Sequence, residues 1–481
     1  MSETIGELVI PGTYIEVRAE GLIGVGGIAT GNIGVVGTAN RGPLDEVVVL
    51  GSYGEALETF GAYDRWPGGE TPALSLTRTL EQLFKGGASS VYAVRVANLG
   101  ETTMASTRWD VTTASDQPLF GLIATSPGTW AEAIQASIDA PDGRPVKLTL
   151  ELGSLKEVFA GATAGELADE ISRGSRLVVV GETSGESPVS LGDTTRALRP
   201  TKLPKVATPG GPDGAAATTT ELAAGLALLE DQPVNIVAVG GFDANTAAGT
   251  VLAHLEQTEN DGRERIAILG ASSDATATII SDDVAAGSNR RLVLVAPGIK
   301  ADDAARTGQA DKQVELTAPY AAALVAGKLS TLAPHISLTN KDLASDGVTT
   351  RYTRAQQKQL LLNRVLVLHQ NLGIRVLRGI STDTGAFTQI SVRRIVDFAK
   401  AGVRIGSNPY IGRLNNSRVR AALKATLDGF LSQMVVDEML TAYTLDVGAT
   451  RSEEINGIAR VTMTLQPTFS IDFVKVIMNL Q

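Results

Sequence analysis

The chain has 481 residues, 43% hydrophobic and 20% charged, enough apolar material for several cores in roughly two to four domains. It has no cysteine, which excludes disulfides and thiolate metal sites. The net charge of −10 is unevenly spread: residues 351–481 carry 17 Lys and Arg against 9 Asp and Glu, a net of +8, and the first 350 residues carry −18.

In chain order, residues 7–19, "ELVIPGTYIEVRA", form an extended arm in which Ile15 and Val17 alternate with Tyr14, Glu16 and Arg18. "NIGVVGTA" and "EVVVLGS" are short apolar runs bounded by glycine, hence strands. "SYGEALETFG" begins on a capping serine, Ser52, and reads as a helix. "TPALSLTRTLEQLFKGG" is an amphipathic helix closed by Gly86 and Gly87, and "SVYAVRV" is the next strand. From about 98 to 205 the composition shifts to Thr, Ser, Gly and Pro, with strands expected at "VKLTLEL" and "RLVVVG". Alternation of helix and strand returns with "TTTELAAGLALLED", "VNIVAVGG", "TAAGTVLAHLEQTEN", "RIAILGA", "TATIISDDVAAG" and "RLVLVAP". Such alternation with short turns predicts a mostly parallel sheet covered on both faces. "RYTRAQQKQLLLNRVLVLHQN", "ISVRRIVDFAKAG" and "NSRVRAALKATLDGFLSQMVVDEML" have helical spacing, and "RVTMTLQP" alternates as a strand up to Pro467. The closing "IDFVKVIMNLQ" is apolar on both faces of an extended strand, with Val474, Val476 and Met478 on one side and Ile471, Phe473 and Ile477 on the other. A terminus of that kind frays in water unless something covers it.

These elements predict a multidomain protein of α/β and α+β class. An extended arm occupies 1–20, and a parallel-type α/β sheet domain is built from 21–97 and 206–350. A β-rich outer insertion spans 98–205, an α+β C-terminal domain 351–466, and a strand arm 467–481. "MSETIGELVI" lacks the basic start and apolar run of a signal peptide, and no stretch reaches the ~18 apolar residues of a membrane span. The expectation is a chain made and folded in a cytosol, without membrane insertion.

No catalytic, cofactor or metal site is expected. "GVGGIATG" resembles a dinucleotide loop, but no buried strand precedes it and no helix opens at its end. The three histidines, His254, His335 and His369, lie far apart beside apolar segments, as structural histidines do. The acid pairs Asp282/Asp283, Asp302/Asp303, Asp437/Glu438 and Glu453/Glu454 fall at loop or helix ends, where capping and solvated roles are commonest. Nucleic-acid binding is not expected, because the basic section 351–424 has few aromatics to stack bases and no reader motif. Residues alone leave open an α/β enzyme or ligand-binding protein of unknown specificity as the alternative.

Several stretches, in order, resemble the tail sheath proteins of contractile phages and related contractile injection machines. They are "IPGTYIEVR", "NIGVVGTANRGPLDEVVVLGSYGEALETFG", "SPGTWAEAI", "TPGGPDGAAA", "ISVRRIVDFAKAG", "YIGRLNNSRVRAALKATLDGFLSQMV" and "TMTLQPTFSIDFVKVIMNL". The resemblance implies a non-enzymatic, cofactor-free subunit of a virion tail or contractile particle, assembled in the host cytoplasm. It would stack in six-fold rings around an inner tail tube, meet baseplate and tail terminator proteins, and contract to drive the tube through a cell envelope. It also implies a C-terminal domain that faces the tube, for which Arg393, Arg394, Lys400, Arg404, Arg418, Arg420 and Lys424 are the basic candidates. The terminal arms, with Ile15, Val17, Phe473, Val474, Val476 and Met478, would join neighbouring subunits by adding strands to their sheets.

Overall fold

The computed structural model describes residues 27–62, 74–98, 106–112, 118–139, 145–153, 155–181, 205–208, 217–302 and 312–479. The N-terminal arm with Ile15 and Val17 lies outside the described residues.

A nine-stranded sheet organises the molecule. Across it the strands run Asp342–Leu343, Ile374–Val376, Val365–Gln370, Leu292–Ala296, Ile266–Gly270, Ile236–Val239, Ile33–Gly37, Val91–Arg95 and Val47–Leu50. The six strands from Val365–Gln370 to Val91–Arg95 are parallel, and the margins are antiparallel. The central strands are continuous apolar runs because both faces are covered. Helices Leu76–Gly86 and Ala318–Ser330 pack on one face, and Thr219–Leu229 and Ala244–Asn260 on the other. Local chemistry starts and stops these helices. Asp243 and the Thr218/Glu221 capping box begin two of them, and Gly87, in the left-handed region at φ 107°, ends a third. A Cβ on Gly327 would sit 2.1 Å from the Leu83 carbonyl oxygen, so the helices on the first face cross at backbone contact.

The sheet also corrects the expected reading at one place. "RYTRAQQKQLLLNRVLVLHQN" is not one helix: Arg354–Leu362 is helical, Arg364 turns at φ 65°, and Val365–Gln370 is a strand. Val365, Leu366 and Val367 are fully buried, and a run buried on both faces has no periodicity that separates strand from helix. The sheet therefore extends past the edge expected at residue 350, out to Val376.

The insertion is β-rich and has its own core around Trp109, Phe120, Leu148, Leu167 and Ile171. A four-stranded antiparallel sheet and the three-stranded sheet Gln135–Asp139, Val146–Leu152, Leu155–Gly161 enclose it with helix Ala164–Gly174. "SPGTWAEAI" contacts the main sheet domain. The buried Arg95 guanidinium donates to the carbonyls of Gly42 (2.7 Å) and Pro127 (3.1 Å), and the Gly42 amide donates to Ser126 Oγ at 2.9 Å.

The C-terminal module comprises helices Ile390–Ser407 and Ser417–Val436 and the hairpin Leu440–Gly448/Arg460–Pro467. Ile395, Ala399, Phe430, Leu431 and Met434 form its core. A Cβ on Gly402 would fall 1.9 Å from the Phe430 ring, so the helices approach this closely only with glycine there.

Candidate assembly interface

The basic candidates divide by the direction they face. Four lie on helix Ile390–Ser407 and turn toward this chain's own acidic half. Arg291, 2% exposed at the start of a central strand, is the hub. It donates two bonds to Glu259, both 2.8 Å, and two to Asp397, 2.8 and 3.0 Å. Burial disfavours its charge, yet these carboxylate bonds outweigh burial and raise its pKa. In return the Arg291 bonds, chiefly, hold the Glu259 carboxyl far below the usual carboxylate range. Lys400 Nζ sits 3.0 Å from Glu259 and 3.4 Å from Glu264, and Arg404 grips Glu264 through two bonds of 2.9 and 3.1 Å.

Arg393 and Arg394 correct the expectation of a tube-facing pair, because both are buried. Arg393 donates to Asp397 at 2.6 Å and stacks 4.3 Å over the Phe387 ring. Arg394 donates to the carbonyls of Thr30 (3.1 Å), Leu332 (2.9 Å) and Ala333 (3.3 Å), and burial lowers its pKa to about 10. The physical reason is geometric. On this helix, residues 393, 394, 397, 400, 401 and 404 fall on the stripe that packs toward the sheet domain.

Arg418, Arg420 and Lys424 lie on the other helix. Arg418 is exposed, Arg420 bonds Glu454 (3.0 Å) and Asn415 (2.9 Å), and Lys424 lies 3.6 Å from Asp446. The loop before that helix adds side chains that the sequence reading passed over. Ile411 and Leu414 are 79% and 78% exposed, beside Arg413. Two apolar residues set among Gly412, Asn415 and Asn416 ahead of a helix start were the available signal.

The hairpin is half a sheet. Tyr443, Leu445, Val447, Val461, Met463 and Leu465 lean onto helix Ser417–Val436, and Thr444, Asp446, Thr462 and Thr464 face out. No described strand pairs with either outer edge. A two-stranded ribbon is marginal alone and leaves a row of unpaired backbone groups on each edge. Its first strand was also missed in sequence, because a bulge between Leu440 and Ala442 breaks the alternation that resumes at Tyr443, Leu445 and Val447.

Beyond Pro467 no described residue of the tail joins a strand ladder. Its root is fixed. The Thr468 amide donates to the Met439 carbonyl at 3.0 Å, and Ser470 exchanges two bonds with the Gln389 amide group, 3.2 and 3.3 Å. The Asp472 carboxylate, 5% exposed, accepts from Arg378 at 2.8 Å and from Thr339 at 3.1 Å. Past this clamp, Phe473, Val474, Val476, Ile477 and Met478 are 71–86% exposed. Among the described residues no group of His, Cys, Asp or Glu could hold a metal ion, and no helix is long and apolar enough to cross a membrane.

Comparison with known proteins places these features. Residues 215–382 match the phage tail sheath protein central domain, and 382–481 the phage tail sheath C-terminal domain, together more than half of the chain. The "Tail sheath protein" of Bacillus phage SP01 is 25% identical over 321 residues, covering 65% of this chain and 51% of that protein. The chain thus spans about half the length of this relative. The fold is similar to the crystal structure of the sheath tail protein from Desulfitobacterium hafniense, with TM-score 0.63 and 18% identity over 95% of this chain and all of that one. It is also similar to the helical sheath of the anti-feeding prophage in its contracted state, with TM-score 0.57 and 14% identity over 99% of this chain and all of that one.

Proposed function

Since this chain belongs to the phage tail sheath family, we propose that it is a structural subunit of a contractile sheath, acting by polymerisation and not by catalysis. Copies stack as six-fold rings into a sleeve around an inner tube, in a virion tail or related particle, between a baseplate and a terminator. The observation that carries this reading is the pairing of a clamped, exposed apolar tail with an open-edged hairpin in the same chain. Beyond Asp472, which fixes its root, the tail's described apolar side chains are left exposed by their own copy. Added as a strand to a neighbour's hairpin, it gains backbone bonds and apolar cover together. Each subunit then gives one strand and receives another, and such head-to-tail contacts build a filament when they do not close.

The tube-facing surface is the stretch 411–424, with Ile411, Arg413, Leu414, Arg418 and Lys424 outward. Contraction is a packing switch between two arrangements of the same subunits, tethered throughout by the exchanged strands. Negative-stain microscopy of the purified full chain tests the reading. Long hollow cylinders are expected, and discrete particles at all concentrations would overturn it.

A further inference from the structure

A second surface lies where the tail leaves the sheet domain. A groove of about 880 Å³ is lined by Arg354, Lys358, Leu362, Arg364, Arg378 and Phe473, among others. Its charge differs in kind from that of helix Ile390–Ser407. There the cations are spent on the chain's own carboxylates and carbonyls, whereas Arg354, Lys358 and Arg364 form no ion pair with any described residue. The one carboxylate in the lining, Asp472, is already bonded to Arg378. Leu362 is 70% exposed at the groove's side and Phe473 is 79% exposed at its mouth.

We propose that this groove docks a second copy of the chain, which inserts the acidic corner Val436–Glu438 at the end of its long helix. Three observations fit that corner to the groove. Val436 is 73% exposed, and Asp437 and Glu438 beside it form no ion pair with any described residue. Both acids stand at a helix C-terminus, the negative end of the macrodipole, and Arg354 opens its own helix at the positive end. Each partner therefore carries charge of the wrong sign for its own helix, and docking relieves both. Glu438, at φ 59°, is held in a left-handed turn tied back by its amide to the Val435 carbonyl at 3.1 Å, so the corner is preformed. Reach agrees as well, and this clause rests on the strand-exchange reading. Phe473 to Gln481 spans at most about 30 Å when extended, so the hairpin that takes the tail, and the corner adjoining its first residue Leu440, lie within that radius of the groove.

The test is charge exchange in the full chain, with polymer yield read by sedimentation and microscopy and folding checked by circular dichroism. Lys358→Glu should raise the concentration needed for polymerisation about tenfold, since it sets like charges against each other at the interface. Adding Glu438→Lys should restore it to within about twofold of the parent. Arg354→Glu, restored by Asp437→Lys, repeats the measurement at a second pair. Unchanged polymerisation in Lys358→Glu and Arg354→Glu overturns the groove as an interface. A loss that neither acid reversal restores overturns the assignment of its occupant. The strand reading is tested separately by a chain ending at Asp472: its continued polymerisation would overturn exchange, while rescue between opposite charges in the full chain would still establish the groove.

Discussion

Two sides of the C-terminal module solve opposite problems. Where helix Ile390–Ser407 meets the sheet domain, every strong charge has a partner inside the chain: Arg291 with Glu259 and Asp397, Lys400 and Arg404 with Glu264. Where the hairpin and tail face out, the hairpin's outer edges pair with no described strand and the tail's apolar side chains from Phe473 to Met478 are largely exposed. The first side is complete in one copy and ties two domains into a single body. The second is the side that the proposed strand exchange would complete with a neighbouring copy. A sheath that moves its subunits as units needs both, because rigid joints within a subunit confine rearrangement to the contacts between subunits.

The largest effect that could break this contrast is at the tail. A chain ending at Asp472 keeps the clamp to Arg378 and Thr339, so it should unfold at the same temperature as the full chain yet form no polymer. Val476→Asp with Met478→Asp should do the same by placing charge in the strand joint. A truncated chain that is molten by circular dichroism would show that the tail completes its own fold.

The converse change is Arg291→Met, which removes four hydrogen bonds from Glu259 and Asp397 in a partly buried site and leaves them only Lys400, Arg290 and Arg393. Breaking a buried network from one side costs about 3–5 kcal/mol, and denaturant unfolding should show a loss of that order. A loss below about 1 kcal/mol would place the joint with ordinary surface pairs. Gly402→Ala probes the same module with less force. Its methyl must displace the Phe430 ring, for an expected cost of about 1–3 kcal/mol with the polymer interface untouched.

Acid titration, the change spread most gradually over conditions, resolves the joint from the core. His254, buried beside the Arg265 guanidinium at 2.9 Å, has its pKa lowered from 6.5 to about 4, by burial first and by that charge second. The unfolded chain takes up this proton before the folded one, so stability should fall as pH drops from 6.5 toward 4, by at most about 1.4 kcal/mol per pH unit. Glu259 is also depressed, so its contribution is complete above 4.5 and is lost at lower pH. His254→Gln should flatten the upper window and leave the lower one. Melting temperatures from pH 8 to 3 check both, and an unchanged slope between 6.5 and 4 would exclude His254 as its source.

Sequence by itself determined much of this protein, wherever the deciding interactions are local or repeat with a period. Unbroken apolar runs marked the parallel strands, Ser52 and Gly87 marked helix ends, and the Thr- and Gly-rich shift near residue 98 marked a β-rich insertion with its own core. The apolar pattern of "IDFVKVIMNLQ" was equally legible, and exposure of such side chains as Phe473, Val474, Val476, Ile477 and Met478 to water is costly. Tertiary structure alone decided the rest. Val365–Gln370 is a strand because sheet neighbours bury it on both sides, and Leu440–Gly448 is one although a bulge hides its alternation. The basic section showed its charge in the sequence but not its direction. Asp397 lies 106 positions from Arg291, and Lys400 lies 141 from Glu259, so their pairing exists only once the domains meet. A charge is counted by composition, but whether it is spent inward or offered outward depends on contacts that no local pattern encodes.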